Sequence, residues 1–368
     1  MGKTIRPGLR VLLMLMLCLL VSGCVTPAGF DEAAWRKKVD AARTEDLYAP
    51  HHGDGEYFNP WMPMEEKGFL RFLKWKLSFS REYSAEERDF LPAFIPDALG
   101  RVRAAPEGDL LLWIGHATFL IRLNSRFWLT DPMLSDRALL PRRKTRPAVT
   151  LEELKDLGVP RLNVVISHNH YDHLDGQTIK ALPDSTRFFV PLGMKEFLAK
   201  LGKNDVVEMD WWQSVDAGDG TKVVCLPAQH WSRRIGQTAN STLWASFLII
   251  SPKNTVYYGG DSGYFVGFRE IGRRYPGIDY ALIPVTAYHP RWFMHYSHMD
   301  TDESIDAFDD LGARYFVPTQ WGTFHLGDDP PGFPAIDLKR RIAARNIDPS
   351  RFLIMDIGET LPLSGRSE

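Results

Sequence analysis

At 368 residues with 44 % hydrophobic side chains, the chain is long enough to bury one large core in a single domain. Forty-four Lys and Arg against 46 Asp and Glu, a formal net charge of −2, exclude a basic footprint for nucleic acid. Of three cysteines, Cys18 and Cys24 fall near the N-terminus and only Cys225 lies inside the body, so no disulfide framework is available.

In chain order, Lys3, Arg6 and Arg10 precede an unbroken apolar run over 11–20 that is short for a permanent membrane-spanning helix. The next four residues, Val21-Ser22-Gly23-Cys24, are similar to the lipobox of bacterial lipoproteins. That resemblance implies a signal peptide over 1–23, acylation of Cys24 as the first mature residue, and a lipid-anchored protein of the cell envelope. The non-acidic Val25 implies release to the outer membrane, facing the periplasm. Residues 24–57 carry Pro27, Gly29, Pro50, Gly53 and Gly55 and read as a tether and loosely held lead-in, with His51 and His52 as solvated loop histidines. The folded domain is expected over 58–368.

Phe69, Phe72, Leu73 and Leu77 recur at helical spacing, with Lys67, Arg71, Lys74 and Lys76 between them. They predict an amphipathic helix that packs its apolar stripe on the domain, lies against a membrane surface, or does both. Strands are predicted over 110–114, 119–123 and 126–130, with Asn124-Ser125 as a turn and Asp131-Pro132 ending the third. The basic loop 142–146 reads as solvated, or as facing anionic lipid heads. Thr150 and Glu153 form a capping box for a helix to 157. Further strands are predicted over 162–166, 187–190, 221–226, 243–250, 255–258, 280–284, 314–317 and 352–355, with helices over 194–201, 268–274, 302–311 and 336–345. Two β-rich halves with interspersed helices suggest two sheets face to face with helices outside.

The chemistry concentrates in Ser167-His168-Asn169-His170-Tyr171-Asp172-His173-Leu174-Asp175, directly after a short buried strand. His168 and His170, two apart, can converge on one metal ion, while Asp172 and His173 point towards a second. Imidazole plus carboxylate suits zinc, or iron or manganese in a more open geometry. Two later strand ends supply matching groups. His230 would complete the first site, and Asp261, after Gly259-Gly260, is placed to bridge both ions.

This H-x-H-x-D-H pattern with distal His and Asp resembles the metallo-β-lactamase superfamily. Within it, Phe58 to Trp61, Trp113 to Thr118, Pro290-Arg291-Trp292-Phe293-Met294 and Trp321-Gly322-Thr323-Phe324 look like the N-acyl-phosphatidylethanolamine-hydrolysing phospholipase D family. The resemblance implies an αββα four-layer sandwich with two zinc ions between the sheet edges. By the match, His168, His170 and His230 hold one ion, Asp172 and His173 the other, and Asp261 bridges. His298 matches a family histidine implicated in activity, though it also reads as a helix-start residue, while His289 and His295 have no such match. Where the family has a histidine before Trp-Gly-Thr-Phe, this chain has Gln320, a weaker neutral ligand, so a weaker second site is expected; His325 is a possible substitute.

The implied activity is a phosphodiesterase acting on N-acyl-phosphatidylethanolamine through Asp172, Asp261 and a metal-activated water. Other readings remain: a hydrolase of lactones, β-lactams or phosphorylated sugar lactones, a mononuclear-iron oxidoreductase of thiols, or an envelope protein with a vestigial site.

Overall fold

The computed structural model describes residues 29–65, 68–78, 81–155 and 161–365. The expected signal peptide, Cys24 and the far end of the helix predicted to 157 lie outside the described residues. The strands are β1 (His52–Gly53), β2 (Glu56–Tyr57), β3 (Leu110–Gly115), β4 (Thr118–Leu123), β5 (Arg126–Thr130), β6 (Leu162–Val165), β7 (Arg187–Pro191) and β8 (Val206–Met209). They continue with β9 (Ser214–Gly218), β10 (Thr221–Leu226), β11 (Ser246–Ile250), β12 (Thr255–Tyr258), β13 (Tyr280–Pro284), β14 (Tyr315–Thr319) and β15 (Thr360–Pro362). One sheet has seven strands in the order β15-β3-β4-β5-β6-β7-β8, the other six in the order β14-β13-β12-β11-β10-β9, and β1 and β2 form a separate hairpin.

Side-chain alternation explains why the seven-stranded sheet is covered on both faces. Leu111, Trp113, Phe119, Ile121, Trp128, Val165 and Phe189 face the second sheet. Their strand neighbours Leu110, Leu112, Ile114, Leu120, Leu129, Val164 and Phe188 face outwards. There they meet Leu99, Leu154, Ile179 and Leu198 from four helices, Ala98–Ala104, Leu151–Lys155, Gly176–Ala181 and Lys195–Lys200. Helices Gly267–Arg274, Thr301–Leu311 and Phe333–Ala344 cover the six-stranded sheet through Phe268, Ile271, Ile305, Phe308 and Leu338. The architecture is the αββα sandwich. Each large side chain buried between the sheets contributes about 1.5–3 kcal/mol.

Several expectations change. Residues 29–57 are not a loose lead-in. Asp31 caps the helix Glu32–Asp40, whose Trp35 and Val39 are buried, and Trp35 Nε1 donates to Glu303 Oε1 at 3.0 Å. His51 is not a solvated loop residue, because its Nε2 lies 2.8 Å from Asp210 Oδ1 and its ring stacks on Trp211. The helix Phe69–Leu77 forms, but it buries Trp75 against Phe293 and Met294 and leaves Leu70, Phe72, Leu73 and Leu77 exposed. In the basic loop, Arg143 is buried and donates to the Met133 carbonyl, so that charge is structural. The Thr150–Glu153 capping box is present. The strand predicted over 352–355 reduces to a single bridge from Phe352 to Phe316 on β14, and β15 joins the other sheet, at the edge beside β3. Residues 243–245 fall outside β11 because they bond elsewhere: Leu243 N donates to Leu192 O and Ala245 N to Ser167 O, both at 2.9 Å.

Candidate metal centre

The expected ligands arrive from strand ends of both sheets at one rim. His168, His170, Asp172 and His173 lie on the loop between β6 and the helix Gly176–Ala181. That loop is fixed by a turn at its middle, Leu174 N to His170 O at 2.8 Å, and at its end by Asp175, which caps the helix through Gln177 N. His230 follows β10 and Asp261 follows β12. Gly260 has a positive φ of 57°, and a Cβ there would lie 2.4 Å from Ser167 Cβ, so only glycine lets the Asp261 loop sit against the histidine loop.

Two clusters share Asp261. In the first, His168 Nε2 and His230 Nε2 approach His170 Nδ1 at 2.8 and 3.2 Å, and Asp261 Oδ2 lies 3.8 and 3.4 Å from the same two Nε2 atoms. The ligand atoms of these four residues lie within 4.8 Å of one another. In the second, His173 Nε2 lies 3.3 Å from Asp172 Oδ2 and 3.2 Å from Asp261 Oδ1. Asp261 thus turns one oxygen to each cluster. His173 Nε2 and Asp261 Oδ1 are buried and make no hydrogen bond. Lone pairs gathered in this way on a point between them, rather than on each other, fit a cation.

The far nitrogens are held by neighbours, which fixes ring orientation as metal-binding histidines require. His168 Nδ1 meets Ser167 Oγ at 2.9 Å and His230 Nδ1 meets the Ser297 carbonyl at 3.2 Å. His173 Nδ1 pairs with Asp131, which in the sequence stands at a strand stop. Asp131 also accepts from Ser167 N and Tyr258 OH.

Burial, reinforced by the neighbouring imidazoles, pushes His168 well below the usual histidine range, and burial pushes His170 down to about 4. Both rings are therefore held neutral at physiological pH, the form in which an imidazole can bind a metal. Burial also opposes charge on His173, but the carboxylates of Asp261, Asp172 and Asp131 outweigh it and raise its pKa. Asp172 and Asp261 are held ionised against burial, chiefly by His173.

His298 joins the site's margin, its Nδ1 4.0 Å from Asp261 Oδ2. Gln320, after β14, is buried at the site and its Nε2 donates to Gly260 O at 3.0 Å. His325 does not substitute for a residue at 320. Trp321 to Phe324 are buried, whereas His325 is exposed and belongs to none of the His/Asp clusters among the described residues. His289 and His295 are packing residues, the first bonded to Asp329, the second tilted against Phe30 and edge-on to Trp35. A histidine missed in the sequence, His116, stands beside Asp172.

The clusters form the floor of a cavity of about 610 Å³. Its polar side is His170, Asp172, Asp261, His298 and Gln320. Its apolar side is Phe72, Trp75, Leu139, Phe293, Met294 and Leu326.

Residues 126–321 match the β-lactamase superfamily domain. The chain is 35 % identical over 278 residues to an N-acyl-phosphatidylethanolamine-hydrolyzing phospholipase D of Caenorhabditis elegans, covering 70 % of this chain and 77 % of that one. It is also 35 % identical over 323 residues to an uncharacterized protein of Mycobacterium tuberculosis, covering 83 % of each. A possible metal-dependent hydrolase of Veillonella parvula shares the fold with a TM-score of 0.57 at 19 % identity, over 70 % of this chain and 99 % of that one. The chain belongs to the metallo-β-lactamase superfamily and is a metal-dependent hydrolase of that family. Within it, the chain resembles the N-acyl-phosphatidylethanolamine-hydrolysing phospholipases D.

Proposed function

We propose that this hydrolase is a phosphodiesterase of phospholipase D type, converting N-acyl-phosphatidylethanolamine lipids to phosphatidic acid and N-acylethanolamine. The observation that carries the reading is the two-sided cavity, whose His/Asp floor adjoins an apolar wall suited to acyl chains. The helix that supplies Phe72 and Trp75 to the cavity exposes Leu70 and Leu77 on its opposite face, and the loop that supplies Leu139 exposes Leu140. Exposed apolar side chains on elements bordering a cavity suit an interfacial substrate. The name of the Caenorhabditis elegans relative supports the same substrate class.

Bound divalent ions, zinc by the ligand set, supply Lewis acidity that makes hydroxide available near neutral pH and neutralises phosphoryl charge. His168, His170 and His230 would hold one ion, and Asp172 and His173 the other, with Asp261 serving both clusters. Asp172 and Asp261 orient the attacking water on the cavity floor. Its oxygen bonds to phosphorus, the bond from phosphorus to the ethanolamine oxygen breaks, and that oxygen departs with a proton as the alcohol of the N-acylethanolamine. His298, on the cavity wall, positions the phosphoryl group. Acylation of Cys24 would hold the enzyme at the outer membrane beside such lipids.

The test uses full-length protein, zinc-loaded, with vesicles containing N-acyl-phosphatidylethanolamine, and Asp261→Asn as control. Wild type is expected to release phosphatidic acid, and the variant about 100-fold less. No phosphatidic acid from wild type, or turnover of a lactone or β-lactam instead, overturns the substrate. Recovery of activity in the soluble rather than the membrane fraction overturns the anchor.

A further inference from the structure

We propose that His116 is a ligand of the second ion, occupying the place left by the histidine that the family carries where this chain has Gln320. The inference deepens the metal-hydrolase reading and rests on it.

The second cluster is one donor short. Asp172, His173 and one oxygen of Asp261 converge there, and the side-chain amide of Gln320 is engaged with the Gly260 carbonyl. His116 closes the set. Its Nε2 lies 3.2 Å from Asp172 Oδ2, and the ligand atoms of His116, Asp172 and His173 all lie within 4.8 Å of one another. That is the spacing of three donors around one ion.

The backbone puts the ring there. His116 stands in the tight turn between β3 and β4 with a φ of 53°, a left-handed conformation that non-glycine residues adopt only where surrounding contacts enforce it. Three bonds hold it: His116 N donates to Thr323 Oγ1 at 2.9 Å, and its carbonyl accepts from Trp113 Nε1 and Gln320 N, both at 3.0 Å. The turn is therefore stitched to the segment around residue 320. An imidazole from the turn thereby reaches the cluster that a side chain at 320 would otherwise serve.

Ring orientation completes the argument. Nδ1 faces the Gln320 carbonyl at 3.3 Å, and a carbonyl can only accept, so Nδ1 carries the proton. Nε2 then points into the cluster at Asp172 Oδ2, with the whole side chain buried. The arrangement repeats the held-far-nitrogen pattern of His168, His173 and His230. The rival is an imidazolium simply paired with Asp172, and only metal affinity separates the two.

The experiment strips full-length protein of metal, reloads it with zinc, and measures ions per chain and stepwise affinity by competition with a chromophoric chelator. Wild type is expected to hold two ions. His116→Asn, chosen because asparagine tolerates the left-handed turn, should keep the first ion and bind the second at least about tenfold more weakly. Gln320→Ala should shift the second affinity by less than about threefold. The double variant His116→Asn/Gln320→His should recover it. Two ions held by His116→Asn as tightly as by wild type overturn the ligand role alone, whereas a wild type that binds no ion overturns the metal-hydrolase reading as well. If His116→Asn fails to fold, Gln320→His decides. With His116 in place the added imidazole should tighten the second ion by less than about tenfold, and a larger gain would show that the seat was vacant.

Discussion

Asp131 illustrates how much a residue can do without touching an ion. Fully buried, it holds His173 Nδ1, the Ser167 amide and the Tyr258 hydroxyl together, and so sets the angle at which His173 faces Asp172 and Asp261. Asp131→Asn keeps the shape but removes the charge and swaps one acceptor oxygen for a donor. It is expected to weaken the second ion about 10- to 100-fold while leaving the first unchanged, measured by chelator competition; equal loss at both would place Asp131 in general folding instead. The residues that gather at the rim were legible because His168, His170, Asp172 and His173 follow one strand at ligand spacing, and because His230 and Asp261 end strands of their own. His116 and Asp131 were not. His116 stands 56 residues before Asp172 with no companion at ligand spacing, and Asp131-Pro132 has a sufficient local explanation as a strand stop. Their roles exist only once β3, β4, β5 and β6 lie side by side.

Among the elements, apolar runs and alternation were read well: β5, β10, β12 and β13 begin and end where the pattern says they should. Short edge strands were not, since Ser214–Gly218 carries little apolar signal and Val206–Met209 is only four residues long. The polar lead-in misled for a different reason. The Glu32–Asp40 helix buries two residues out of nine, too sparse a stripe to stand out among its charges. That segment is pinned further on by His51 and Asp210. Burial opposes charge on both, yet their mutual hydrogen bond and attraction raise the histidine pKa and lower that of the carboxylate. The raised histidine contributes stability that is fully present below its unfolded pKa and is lost as pH rises through its folded one. The lowered aspartate contributes stability present above its unfolded pKa and lost as pH falls through its folded one. The pair therefore acts most strongly in mildly acidic solution. His51→Gln is expected to cost about 1 kcal/mol or less at pH 5.5 and markedly less at pH 9, read from denaturant unfolding at both. A cost that does not change with pH would assign His51 to packing on Trp211 alone.

Across the whole molecule, the candidate ligands divide between the two sheets. His116 and the residues at 168, 170, 172 and 173 extend from the seven-stranded sheet, whereas His230, Asp261 and Gln320 extend from the six-stranded one. Binding restricted to the folded state adds stability by mass action, about 4 kcal/mol at a thousandfold excess over the dissociation constant. Removing metal with a chelator should thus lower the melting temperature by about 5 °C or more, measured by calorimetry; an unchanged melting temperature would mean that the ions add nothing to folding.

The location of those ligands gives such a loss a direction. An ion seated between strand ends of both layers is a rivet through two plates. With it gone, amide exchange should quicken first along the riveted margin, in the loops after β6, β10 and β12, while the opposite margin stays shut, so that the halves part like a hinged shell whose clasp has been drawn.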